Sequence, residues 1–162
     1  MPVTLIAAVS DNHVIGVHNK LPWRIPEDMK WFRMHTYGGA CIMGRKTWES
    51  LPKKPLKDRL NIVLSSRKHP NSKDTIWVTS LAQALALAKR HTGGTYIIGG
   101  SALFHLAIQL GVVDQMIITH VHSHVKDKNT ITFCLPKKKQ ILWSSSEKRY
   151  KKWSYRFKMY KI

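Results

Sequence analysis

Short apolar runs alternate with amphipathic stretches along most of the chain, and this alternation lays out its elements. Val3–Val9 reads as a strand, followed by a turn at Asp11-Asn12 and a loop holding Gly16 and Asn19 that leads to Leu21-Pro22-Trp23. A helix runs from Pro26 to about Thr36, since proline suits a first helical turn, where its missing N–H is no loss. Ala40–Met43 is a short buried strand feeding Gly44 and a helix over Arg45–Leu51. Arg59–Leu64 is a further strand, ending at Ser65-Ser66-Arg67, and Ile76–Thr79 is the next. Ser80-Leu81-Ala82-Gln83 has the capping-box pattern and opens a helix with Leu81, Leu85 and Ala88 on its inner face. Thr95–Ile98 is a strand, Gly99-Gly100 a junction, Ser101 to about Leu110 a helix, and Gln115–His124 a strand. The last two strands, near Ile141–Glu147 and Trp153–Lys161, follow one another without a helix, as an antiparallel hairpin does. The expected fold is a single α/β domain over residues 1–162, with a central, mostly parallel twisted sheet of about eight strands flanked by about four helices.

The first helix carries the most informative side chains. Asp28, Met29, Phe32 and His35/Thr36 fall on one face of a 3.6-residue period, whereas Glu27, Lys30, Arg33 and Met34 lie elsewhere. Asp28 is therefore either an acid directed into an apolar pocket or, with Glu27, simply a carboxylate favoured by the positive end of the helix. Spacing alone leaves both open.

Composition narrows the class. A hydrophobic content of 43% with six Trp excludes a disordered chain, and 162 residues suffice for a substantial core. Cys41 and Cys134 have no Cys-x-x-Cys spacing, and a disulfide is not expected. Leu5–Val9 is too short to cross a membrane and follows no charged leader, so the cytoplasm is the expected compartment. The formal charge is +18. Lys137-Lys138-Lys139 and the stretch Lys148–Lys161, interleaved with Tyr150, Trp153, Tyr155 and Tyr160, could be a nucleic-acid surface. The preferred reading is a hairpin with a cationic outer face, because Trp153, Tyr155, Phe157 and Met159 alternate with Ser154, Arg156 and Lys158. His120, His122 and His124 alternate likewise and read as a polar strand surface rather than a metal site.

Two strand-to-helix junctions present glycine backbone where free N–H groups and the helix dipole favour an anion: Ile42-Met43-Gly44-Arg45-Lys46-Thr47 and Ile97-Ile98-Gly99-Gly100-Ser101. The first adds Arg45, Lys46 and Thr47, and a third strand end supplies Ser66-Arg67. Cationic and hydroxyl groups at several strand ends suit a ligand with several phosphates lying across the sheet edge.

Over nearly its full length the chain resembles dihydrofolate reductase. The resemblance is carried by LIAAVSDNHVIG (Leu5–Gly16), LPWRIPEDMKWF (Leu21–Phe32), IMGRKTWESLPKKPLKDRLNIVLSSR (Ile42–Arg67), YIIGGSALF (Tyr96–Phe104) and IITHV (Ile117–Val121), in order and at the right spacing. It implies NADPH-dependent reduction of 7,8-dihydrofolate, with hydride passing to C6 and a proton to N5. It also implies that Asp28 is the active-site acid, binding and polarising the pterin, with Thr119 supporting it and Trp23 holding a water nearby. Ile6, Ala7, Met29, Phe32, Leu51 and Ile98 would enclose pterin and benzoyl rings, and Arg59 would meet the α-carboxylate of the glutamate tail. Arg45, Ser66 and Arg67 would meet the 2′-phosphate of NADPH, alongside Gly44, Leu64 and Ser65. Lys46, Thr47, Gly99, Gly100, Ser101 and Ala102 would surround the pyrophosphate. Ala8, Ile15, Gly16 and Lys20 would lie near the nicotinamide, with Ile98, Leu103 and Phe104 on the same side. The resemblance further implies a cis Gly99–Gly100 peptide, antifolates as possible ligands and a monomer.

Some positions depart from the family pattern. The Gly-Asp-Thr-x-Phe-Pro loop appears here as DKNTITFCLP (Asp127–Pro136), which puts closure against the loop around residues 16–22 in doubt, and Phe104 stands where Tyr is common. Two other functions remain: a reductase of a riboflavin-pathway pyrimidine, which would not need Asp28, Phe32 and Arg59 together, and a nucleic-acid-binding protein. The latter accounts for the charge but not the junctions. No Gly-x-Ser-x-Gly elbow points to a hydrolase.

Overall fold

A computed structural model describes residues 1–162. Its elements run β1 (Val3–Ser10), β2 (Val14–Val17), α1 (Pro26–Thr36), β3 (Ala40–Gly44), α2 (Arg45–Ser50), β4 (Leu60–Leu64), β5 (Thr75–Val78) and α3 (Leu81–Arg90). They continue with β6 (Thr95–Gly99), α4 (Ser101–Gln109), β7 (Gln115–Val121), β8 (Thr130–Thr132), β9 (Gln140–Ser144), β10 (Lys148–Tyr150) and β11 (Trp153–Lys161). Nine strands form the main sheet in the order β10-β11-β7-β1-β6-β3-β4-β5, with β9 also paired to β11. From β7 to β5 every pairing is parallel, and only β11 runs against its neighbours. Parallel strands share a direction, so the C-terminal ends of β1, β3, β4 and β6 emerge at one edge of the sheet. That edge is where ligands of open α/β sheets bind.

Local chemistry explains the helices. Ser80 Oγ accepts from the Gln83 N–H, while Gln83 Oε1 accepts from the N–H and hydroxyl of Thr79. The reciprocal bond thus closes one residue earlier than the capping box predicts. In α1, Asp28, Trp31, Phe32 and His35 are half-buried and Thr36 is buried, whereas Met29 is 56% exposed. The apolar face therefore centres on Trp31 rather than on Met29, because the Trp31 ring stacks on Phe157 at 4.3 Å and on Trp143 at 5.7 Å.

The main core joins Leu5, Ile42, Ile62 and Ile97 from the sheet to Ala84, Ala88, Leu103 and Phe104 from α3 and α4. A second cluster, Trp23, Ile25, Val121, Tyr155 and Phe157, lies under α1. Each large apolar side chain so buried contributes roughly 1.5–3 kcal/mol.

The C-terminal region differs from the expected hairpin. The single strand predicted near Ile141–Glu147 is two strands, β9 and β10, both on the outer edge of β11. Between them Ser145 donates its N–H to the Phe157 carbonyl and accepts the Phe157 N–H on its hydroxyl, so a side chain replaces one rung of the ladder. A register shift between Met159 and Tyr160 then brings Tyr160 into the core while Met159 and Trp153 stay half-buried. Arg156 and Lys158 are half-buried too, so that face of β11 is not simply solvated. β7 ends at Val121 rather than His124, where Ser123 turns back to bond the Val121 carbonyl. The pair β2–β8 forms a separate two-stranded sheet from segments that read as loops.

Candidate active site

The acid of α1 meets the sheet at β7. Thr119 sits between Ala8 of β1 and Phe157 of β11, and its buried hydroxyl donates to Asp28 Oδ1 at 2.6 Å. Desolvation pushes the Asp28 carboxyl up to about 6, against the lowering effect of the Thr119 hydrogen bond. Asp28 therefore turns inward against β7 rather than standing free at the helix end. Glu27 behaves differently: it is exposed and pairs with Lys148 Nζ at 3.1 Å.

Trp23 is buried, and its indole Nε1 has no protein acceptor. A buried donor of this kind calls for a water or ligand partner. Ile6 is buried on β1, Ala7, Phe32, Leu51 and Ile98 are half-buried, and Met29 is exposed near the same end of α1. Arg59 lies at the far end of the helix, with its guanidinium 5.9 Å from the centre of the Phe32 ring. It donates to Thr36 Oγ1 at 3.1 Å and to the Lys57 carbonyl at 2.8 Å. Desolvation is the main influence lowering the Arg59 pKa, and the Arg33 charge pushes the same way. The helix spacing set Arg33 apart from the site; its position next to Phe32 is the only cue that it joins Arg59.

Across the sheet edge, β3 and β6 pair side by side with Met43 beside Gly99. The helix N-caps that follow, Gly44 and Gly100, have no side-chain cap, and the Gly99–Gly100 peptide is cis. Gly99 has φ +130, and a Cβ there would stand 3.4 Å from Thr47 Oγ1. Only glycine is comfortable at such a φ. The result is a strip of bare backbone bordered by the Thr47 hydroxyl, which suits a phosphate group; the positive φ of Gly99, rather than crowding, is what disfavours a side chain there.

Several side chains around this strip are engaged within the protein. Arg45 pairs with Glu49 at 2.6 Å, and Ser101 Oγ donates to the Thr132 carbonyl at 2.6 Å. Ser65 is buried, accepts the Arg67 N–H at 3.2 Å and contacts His69 at 3.3 Å. Ser66, Arg67, Lys46, Ala102 and Lys20 are exposed. Leu64 is half-buried, while Leu103 and Phe104 belong to the core, with Phe104 packed 5.0 Å from Phe133. Ile15 is half-buried against the same core, and Gly16 lies against Ile131, to which a Cβ would come within 3.9 Å.

The altered loop is tied to the segment around residues 13–18 despite its sequence. β8 pairs with β2, the Phe133 N–H donates to the His13 carbonyl at 2.8 Å, and His18 Nε2 stands 3.5 Å from Asp127 Oδ1. Phe133 is only 1% exposed, so an apolar anchor holds the loop. On β7, His120 meets the Tyr160 hydroxyl at 2.7 Å, and desolvation, reinforced by Lys158, drives its pKa down to about 4. His122 lies between Asp11 at 3.4 Å and Glu147 at 3.6 Å.

The family profile described as dihydrofolate reductase matches residues 2–161. The chain is 41% identical over 121 residues to the dihydrofolate reductase of Buchnera aphidicola subsp. Acyrthosiphon pisum, covering 75% of this chain and 73% of that protein. It is 44% identical over 110 residues to that of Neisseria gonorrhoeae, covering 68% and 67%. With that of Haemophilus influenzae it shares 38% identity over 125 residues, covering 77% and 75%.

Proposed function

The chain belongs to the dihydrofolate reductase family and reduces dihydrofolate to tetrahydrofolate, and from that premise we propose that NADPH is the reductant and that Asp28 polarises the pterin. The carrying observation is the Asp28–Thr119 pair. With Oδ1 held at 2.6 Å by the Thr119 hydroxyl, the carboxylate is oriented with a lone pair to spare on each oxygen, so that its two oxygens accept from the amino group and the ring N–H of the pterin. A carboxyl near pKa 6 changes charge close to physiological pH, which suits a group that must bind a ring and favour its protonation. The Trp23 N–H, lacking a protein acceptor, is suited to orient the water that delivers the proton to N5. Ile6, Ala7, Met29, Phe32, Leu51 and Ile98 keep other water from the ring, and Arg59 receives the α-carboxylate of the glutamate tail.

The cofactor, when bound, supplies the hydride that goes to C6. The bare backbone at Gly44, Gly99 and Gly100, with Thr47 beside it, fits a pyrophosphate, and the N–H groups opening α4 would hold it. Ser66 and Arg67 fit a ribose 2′-phosphate, and Arg45 would join them on loosening its bond to Glu49. That set favours NADPH over NADH. Lys46, Ser101 and Ala102 border the pyrophosphate, with Leu64 and Ser65 beside the ribose. Ala8, Ile15, Gly16 and Lys20 flank the nicotinamide, and Leu103 and Phe104 support that wall from within the core. The protein's contribution is alignment and electrostatics.

The test is oxidation of NADPH with and without dihydrofolate, in the native chain and in Asp28→Asn. The expected result is dihydrofolate-dependent oxidation that the substitution lowers by orders of magnitude. Reduction at the native rate by the variant would remove Asp28 from the mechanism.

A further inference from the structure

The chain's positive charge has a structured focus outside the reductase site. A groove of about 480 Å³ lies between the β10–β11 turn and the segment entering α1, lined by Arg24, Pro26, Tyr150, Lys151, Lys152 and Trp153. Alternation in that segment sends Trp23 and Ile25 into the core and leaves Arg24 and Pro26 exposed, and Asp28 is not among the groove's lining residues. Lys151 Nζ sits over the Tyr150 ring at 5.5 Å and Lys152 Nζ over the Trp153 ring at 5.0 Å, while both rings are half-buried against the second core cluster. Arg24, Lys151 and Lys152 take part in no ion pair, whereas neighbouring Lys148 is neutralised by Glu27.

Three unpaired cations beside two aromatic rings in one concavity match a chain of phosphates that carries flat bases. An inorganic anion or an acidic peptide would use the charge and leave the rings idle. A lipid surface would want a protruding apolar tip, and here the turn is two lysines. A duplex would need a broad cationic face rather than a groove. We propose that this groove binds single-stranded nucleic acid, with Lys151 and Lys152 swinging off the Tyr150 and Trp153 rings to join Arg24 on the phosphates and bases taking their place on those rings.

Fluorescence anisotropy of a labelled oligothymidylate, titrated with the full chain over a salt series, tests this. Three phosphate contacts predict a slope of log affinity against log salt of about −2. Lys151→Glu with Lys152→Glu should weaken binding at least tenfold and flatten the slope to about −0.7, with dihydrofolate reduction unchanged. Trp153→Leu should weaken binding roughly tenfold and leave the slope alone, since stacking is insensitive to salt. Three results would each overturn the proposal: no binding at low salt, equal loss on neutralising Lys137-Lys138-Lys139, or binding of inorganic polyphosphate or anionic vesicles as tight as that of the oligonucleotide.

Discussion

The two walls of the reductase site are built by different means. On the side proposed for the pterin, the groups are side chains held by burial: Asp28 on α1, Thr119 on β7 and Trp23 in the second core cluster. On the side proposed for the cofactor, the groups are backbone, at Gly44, Gly99 and Gly100, while most polar side chains around them are exposed or already bonded within the protein. A buried acid is costly to keep but needs no reorganisation when the substrate arrives. Exposed cations cost little to keep, but Arg45 has to be recruited from Glu49.

Asp28→Asn should break this contrast most sharply. Turnover should fall by about a thousandfold at neutral pH, within the range for a lost acid–base group. The same change should stabilise the protein without ligand. A carboxyl raised from 3.8 to about 6 is as stable as in the unfolded chain below pH 3.8, and it loses stability as pH rises through 6. The gain should therefore reach up to about 3 kcal/mol above pH 6 and vanish near pH 4, read from urea melts across pH. A difference between variant and native stability that is the same at both ends of that range would show that Asp28 is not desolvated.

Next in size is Arg67→Ala. Losing a charge-assisted contact to a phosphate should raise KM for NADPH by roughly 10–100-fold and leave KM for NADH nearly unchanged. Equal effects on both cofactors would place Arg67 away from the 2′-phosphate. Thr119→Val should lower kcat/KM about tenfold. It should also move the Asp28 titration above pH 6, because the hydroxyl bond is what restrains it; infrared spectroscopy of the carboxyl reads that shift directly. Glu49→Gln is the gentlest test. Releasing Arg45 from an exposed pair should tighten NADPH only about twofold at low salt.

The positions that sequence reading located best obey short-range rules. Pro26 starting α1, Ser80 capping α3, and glycines where β3 and β6 pass into helices all follow from backbone chemistry within a few residues. The strands β1, β3, β4 and β6 were legible because both their faces are buried, which leaves a near-continuous apolar run. β2 and β8 were not, being four and three residues long with little alternation of their own. Their pairing depends on Phe133 reaching the core beside Phe104, a contact between residues distant in the chain.

The order of apolar and polar residues thus determined the α/β class, the helix starts and the presence of one acid among aromatic neighbours, because these are local properties of the chain. Tertiary structure decided the rest. It set whether Asp28 turned inward, whether Trp31 or Met29 faced the core, where β11 slipped its register, and which cations stayed unpaired. Those outcomes depend on what surrounds each side chain, and dielectric and packing are set by segments that meet only when the sheet closes.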